Sequence, residues 1–577
     1  MRYNIPIIKF GAGDVLLRKG ERAVRFQDMP YRRVTWEEIA GEYDALCREL
    51  QAVSCEADCR AVLEHRCRLG DRMTPMDLCY VRHGMNVNDP FYAEEQRYYD
   101  EIGPRVSELA NRFSRMMLSS PMSGCFEPLM GSFAFTLMRD GLEDTSDGLI
   151  ALQQEENALV SRYHQLIAAG RVNYNGRQVS RSSLALEQQS PDRAVRQAVY
   201  QAVAASWEKQ REELEELYDQ LVHNRHRQAQ LLGYPNYVPL SYRRMCRIGY
   251  TPDDVARFRE QVKQALVPVG ARLNEGRRQR LGLEHLYPWD GISFLTGNPV
   301  PLGDEQFCLE QTRKMFTRLS PETKEYIDFL LDNGLYDVTA REGKQTGGYC
   351  TFFEAYRAPF IFANFDGTTE NAYIMTHEGG HGFYFYLKRN EEIRERAWYT
   401  SEMAETHAMA MEFFTWPSME LFFGERAEDY RRMHLEGAVT RILYQCQQDE
   451  FQQRVYEQPD MTKAQRNALW RQLEEAYFPF REYPEEEQAR IGTRWQRIPH
   501  TFLWPFYAID YGLAQVLALQ YCRWMHEDPD GAWQSYLTFL RSSGSCNFPE
   551  AIRAAGLESP FAEAGLNKLM DWLQSRL

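Results

Sequence analysis

The segment His377-Glu378-Gly379-Gly380-His381 places the tightest constraint on this chain, because its chemistry works only on a helix. Residues four apart on an α-helix lie one turn apart on nearly the same face, so both imidazoles can address one metal ion. Glu378 sits beside them, suited to take a proton from a water activated by that ion. Histidines that merely pack could give the same five letters by chance. Against that reading stand Gly379 and Gly380, since a glycine inside a helix costs about 1 kcal/mol relative to alanine. Close approach of a neighbouring backbone or of a substrate accounts for such a pair.

A catalytic zinc takes three protein ligands and keeps one position open for water, so a carboxylate from elsewhere is expected. The segment Ser401 to Phe414 reads as a second helix, with alanine and methionine packed between spaced acids. Glu402, Glu405 and Glu412 recur at spacings of three and seven and share one helical face. Each of the three could supply the ligand. Glu405 follows His381 by 24 residues, room for one helix to end and another to cross back. His407, two residues on, points elsewhere and is expected in the core or behind a ligand. The expected cofactor is one Zn2+ ion, although imidazole and carboxylate also bind cobalt or manganese.

The 577 residues exceed what one core serves, about 250 to 300, so two or more lobes are expected. With 44% hydrophobic residues the cores are well supplied, and no run of some 18 uncharged apolar residues is present to span a bilayer. A net charge of −15 argues against a nucleic-acid partner, which needs a basic face. The 12 cysteines form no CxxC pair and read as reduced, mostly buried thiols. Met1 to Gly20 alternates charged and apolar residues, unlike a secretory signal, so a cytoplasmic location is expected, with no membrane partner.

Helical punctuation dominates. Thr35-Trp36-Glu37-Glu38 is a capping box ahead of a stripe of Ile39, Tyr43, Leu46 and Leu50. Thr251-Pro252-Asp253-Asp254 repeats the device ahead of Val255, Phe258, Val262 and Leu266. Ser320-Pro321-Glu322 opens a helix that Asn333-Gly334 closes. Strand signals are few: Asn175-Gly176 tips a hairpin over Arg171 to Ser180, and Gly347 to Asn364 holds two short β-rich runs. A long helical stretch from about Asp192 to Leu232 marks the expected lobe boundary. The fold class is therefore mainly α with small β additions.

Three blocks, His377 to His381, Glu405 to Phe414, and Pro499-His500 leading to Pro505 through Tyr511, resemble the thimet oligopeptidase-like metallopeptidases. Within them the chain is similar to the oligoendopeptidase F branch, over roughly residues 200 to 575. The resemblance implies His377, His381 and Glu405 as zinc ligands and Glu378 as general base. It further implies that His500, Tyr507 and Tyr511 converge on the site and stabilise an oxyanion. Gly347, Gly348 and Tyr349 resemble the family's edge strand, which pairs with substrate backbone. It implies a two-lobed helical metallopeptidase with a deep substrate channel and a small sheet beside the zinc helix. The segments expected are an N-terminal helical region (1–110), a helical lobe with the hairpin (111–195) and a zinc peptidase domain (196–577). The activity implied is zinc-dependent endopeptidase cleavage of short peptides. A carboxypeptidase or dipeptidyl carboxypeptidase, and a silent peptide-binding protein, are the alternatives.

Overall fold

The computed structural model describes residues 24–142 and 146–576, and these are mostly helical. The expected caps form. Thr35 and Glu38 exchange backbone and side-chain hydrogen bonds at the start of Trp36–Gln51, which buries Ile39, Tyr43, Leu46 and Leu50. Thr251 and Asp254 do the same for Pro252–Arg280, and Ser320 caps Pro321–Asp332. Each box satisfies amide donors that the first helical turn leaves open.

The stretch from Asp192 to Leu232 is two helices, Arg193–Glu208 and Arg211–Leu231, broken at Lys209 and Gln210. Neither residue is a glycine or proline, so propensity gave no sign of the break. Arg171–Tyr174 (β1) and Arg177–Ser180 (β2) pair antiparallel. Asn175 (φ 51°) and Gly176 (φ 74°) supply the two left-handed positions of the turn.

A second sheet contains Tyr336–Thr339 (β3), Tyr349–Phe353 (β4) and Ala358–Phe365 (β5) in the order β3-β5-β4. β4 is antiparallel to β5 and forms one edge, while β3 is parallel to β5. β3 has only four residues and was not marked by the sequence pattern. The buried Lys344 secures this end of the sheet, its Nζ donating to Asp337 Oδ1 (2.8 Å), Thr339 O (3.0 Å) and Ala363 O (2.6 Å).

The described residues divide into two compact units that interleave along the chain. The first contains the described residues through Leu142, Val300–Glu425 and Trp524–Leu557. It holds the three-stranded sheet, the helix Glu370–Lys388 (the motif helix) and the helix Ser401–Phe414 (the acidic helix). Its N-terminal helices pack around Tyr43, Leu63, Phe113 and Met117. The second contains the described residues between Leu142 and Val300, Arg426–Arg523, and those from Glu558 onward. An aromatic core of Tyr218, Phe451, Trp495 and Phe502 lies within it. No helix among the described residues is long and apolar enough to cross a membrane.

Candidate metal centre and active site

Within the first unit the motif helix crosses the acidic helix at very close range. A Cβ on Gly380 would stand 2.7 Å from Ala408 Cα and from His407 O of the acidic helix. On Gly379 it would stand 2.6 Å from the Phe316 ring, and on Gly382 it would collide with Tyr326. Glycine in a helix is therefore the condition for packing it against three neighbours at once, which resolves the odd glycine pair.

This crossing brings one donor atom from each of His377, His381 and Glu405 within 4.8 Å of one another. His377 Nε2 lies 3.5 Å from Glu405 Oε2. Two ligands each about 2.1 Å from a tetrahedral ion stand about 3.4 Å apart, so this spacing fits a shared zinc. His381 Nε2 is buried and meets no hydrogen-bond partner among the described residues, as a donor atom reserved for a cation would. Two imidazoles and one carboxylate are a catalytic zinc donor set, leaving room for water.

Glu412 and Glu402 share the face of the acidic helix with Glu405, and both are fully buried. Glu412 Oε1 lies 2.7 Å from His377 Nδ1, an arrangement that fixes the ring and turns Nε2 toward Glu405. Burial opposes charge on His377, but the Glu412 hydrogen bond and the charges of Glu412, Glu405 and Glu378 push its pKa up to about 9. Burial, with His377 and His407 nearby, holds His381 well below the usual imidazole value. Glu378 is pushed up to about 7 by burial, His377 opposing and Glu405 adding to the shift. The Cys350 backbone N–H on β4 faces the Glu378 carboxylate and counters part of that rise. Glu378 Oε2 is buried without a hydrogen-bond partner among the described residues, so it is available to a proton. His407 is buried beneath this layer, 2.9 Å from Ser543 Oγ and stacked on Tyr384 at 4.5 Å. Burial pushes its pKa down to about 3.

Gly347 has φ 96° and Gly348 leads into β4 against the Ile374 side chain. The Tyr349 ring is buried and stacks on Phe362 at 4.9 Å, so it packs within the sheet. Cys350 is buried too, its thiol pushed well above the usual value.

His500, Tyr507 and Tyr511 form an aromatic cluster in the second unit. Their ring centroids lie 5.2 to 6.0 Å apart. Arg225 Nη2 donates to Phe502 O (2.6 Å), and Arg247 Nη2 donates to Phe506 O and Asp510 Oδ1 (both 2.6 Å). These buried cations hold Phe506 at φ 69°, a left-handed position that a bulky residue adopts only under restraint. Burial pushes the His500 pKa down to about 4, so its ring is neutral at neutral pH.

Residues 26–143 match the peptidase M3 N-terminal domain, and residues 186–296 and 325–571 match peptidase family M3. The group B oligopeptidase PepB of Streptococcus agalactiae is 23% identical over 389 residues, which are 65% of this chain and 62% of PepB. The chain thus spans about three fifths of the length of the curated relatives it matches. A crystal structure that carries the name oligoendopeptidase F superposes with TM-score 0.90 and 39% identity, covering 96% of this chain and 98% of the other. PZ peptidase A, solved with an inhibitor, gives TM-score 0.89 and 38% identity over 96% of this chain and 99% of its own.

Proposed function

From the premise that the chain belongs to peptidase family M3, we propose that it is a zinc-dependent endopeptidase that hydrolyses internal bonds of short peptides. The observation that carries this reading is the meeting of His377, His381 and Glu405 beside the buried Glu378 carboxylate. A structural zinc site is closed by four protein ligands and has no adjacent base, so this set favours catalysis.

In this account His377, His381 and Glu405 hold the ion. When bound, zinc supplies Lewis-acid polarisation of the scissile carbonyl and makes water a better acid. Glu378 takes the proton of the attacking water and passes it to the leaving amine. Burial raises the metal-free Glu378 carboxyl above its ordinary value, the direction that suits a group which must both take and return a proton. Glu412 orients His377 throughout. We further assign His500, Tyr507 and Tyr511 as donors to the oxyanion that develops on the substrate carbonyl. What supports this is their chemistry: two phenols and a neutral imidazole that keeps an N–H at every pH above about 4. The edge strand β4 offers backbone groups to an extended peptide, which selects short, unfolded substrates. Its 12 cysteines carry no disulfide, in keeping with work in the reducing cytoplasm.

Product mapping tests the endopeptidase assignment. A peptide blocked at both ends should be cut internally. Cleavage only of peptides with a free carboxylate would replace the assignment with a carboxypeptidase or dipeptidyl carboxypeptidase.

A further inference from the structure

The segment that joins the helices Pro499–Leu503 and Ala508–Glu527 is held by its backbone. Phe506, its left-handed residue, has both backbone polar groups taken by buried side chains. Its N–H donates to Gln452 Oε1 (3.0 Å), and its carbonyl accepts from Arg247 Nη2 (2.6 Å). The same Nη2 donates to Asp510 Oδ1 (2.6 Å), in the first turn of the helix that follows. The Phe506 ring lies against Tyr242 (6.2 Å) and Tyr456 (5.7 Å), and the Arg247 guanidinium sits over the Tyr242 ring at 4.5 Å. All these residues belong to the second unit.

The side chains of Arg247 and Asp510 are both fully buried. Arg247 Nε and Nη1 meet no hydrogen-bond partner, so among the described residues all of its side-chain hydrogen bonds go to Phe506 and Asp510. A guanidinium carries five N–H donors, and burying one for two bonds is a costly way to fill a core, where apolar residues of the same volume serve as well. Arg247 also follows a left-handed residue, Cys246 (φ 54°). Of the four non-glycine residues with positive φ among the described residues, two thus flank this one contact. Such strain persists only where the surroundings enforce it, and it gathers where geometry serves a site. The residues gripped here, 506 and 510, are the chain neighbours of Tyr507 and Tyr511.

We propose that Arg247, through Asp510 and the Phe506 carbonyl, is a positioning residue that sets Tyr507 and Tyr511 for the oxyanion. This rests on the assignment of those two phenols as oxyanion donors. One nitrogen fixes the residue before each phenol, so a single guanidinium sets both, and their ring centroids stand 5.2 Å apart. Donors to an oxyanion act by being in place beforehand, and a displacement of about 1 Å costs on the order of 10² in rate. The effect belongs to the transition state, where the charge develops, and so to kcat rather than to KM.

The test uses the whole zinc-loaded chain and one end-blocked, internally quenched peptide. Arg247→Met alone strands the Asp510 carboxylate in the core, so Arg247→Met/Asp510→Leu, which removes both charges, is measured beside it. Each should lower kcat about 10- to 100-fold, with KM within about threefold and zinc content unchanged. Arg247→Lys keeps the buried charge, guards against loss of folding, and should give a smaller loss of kcat in the same direction. Tyr507→Phe/Tyr511→Phe should lower kcat about 10²-fold or more. Adding the Arg247 substitutions to that pair should cost less than about threefold further, because the phenols through which Arg247 acts are gone. A full further loss in the phenol-free background would mean that Arg247 serves the fold alone, and overturns the proposal. Unchanged kcat in the folded, zinc-replete Arg247 variants overturns it too. If Tyr507→Phe/Tyr511→Phe keeps full kcat, the donor assignment itself fails and the positioning role falls with it. Failure of the unaltered enzyme to cleave any peptide would instead reject the peptidase reading.

Discussion

His377 is gripped from both sides of its ring: Nδ1 lies 2.7 Å from Glu412 Oε1 and Nε2 lies 3.5 Å from Glu405 Oε2. One helix, Ser401–Phe414, supplies both carboxylates, two turns apart, so one element provides a ligand and orients another. The ring is therefore held in place, and Glu412 keeps the Nδ1 proton when Nε2 gives up its own to the ion.

Glu412→Gln should weaken zinc binding about 10- to 100-fold, the usual cost of removing the carboxylate behind a metal-bound histidine. Competition with a chromogenic chelator measures it. Unchanged affinity would show that Glu412 does not govern the ring.

Zinc uptake should release protons in a defined pH range. His377 in the metal-free protein has its pKa pushed up to about 9, above the ordinary imidazole value near 6.5. Below about 9 the ring holds a proton that the ion must displace. Calorimetric titration at pH 8 in buffers of different ionisation enthalpy should report about one proton released, and clearly fewer above pH 9. The same raised pKa stabilises the metal-free fold at low pH, with that contribution lost as pH rises through about 9. Glu412→Gln should lower both effects.

Glu378→Gln should retain zinc and lose at least the 10² to 10⁴ in rate typical of general-base catalysis. Glu405→Ala should lose zinc as well as rate, because an incomplete ligand set binds weakly. Zinc analysis beside steady-state kinetics separates the two outcomes. Near-full activity in Glu378→Gln would remove it from the mechanism.

Gly380→Ala should destabilise the protein by about 3 kcal/mol, the upper end for overpacking, because the new methyl meets backbone that cannot swing aside. Chemical denaturation of the metal-free protein checks it. Zinc affinity should fall in parallel, since relief of the clash parts the two helices that carry the ligands.

The legible parts of this molecule were those written in local chemistry. Capping boxes at Thr35, Thr251 and Ser320, the Asn175-Gly176 turn and the spacing of His377 and His381 each act within one turn or hairpin. The role of Glu412 was not resolvable from Glu402 and Glu405, because spacing gives a shared face but not which acid meets which atom. Arg247 carried no signal, because only tertiary packing brings it to Phe506 and Asp510. β3 escaped because a four-residue parallel strand has too little pattern to mark it. The two units interleave, so no linear stretch of composition announces them.

The most direct test is hydrolysis of an end-blocked, internally quenched peptide of about ten residues, long enough for an extended edge-strand substrate. It is followed before chelation, after chelation and after zinc is restored. The account predicts internal cleavage that disappears with the metal and returns with it, at one zinc per chain. Cleavage that persists in fully metal-free protein, or none across a varied peptide set despite bound zinc, would contradict it.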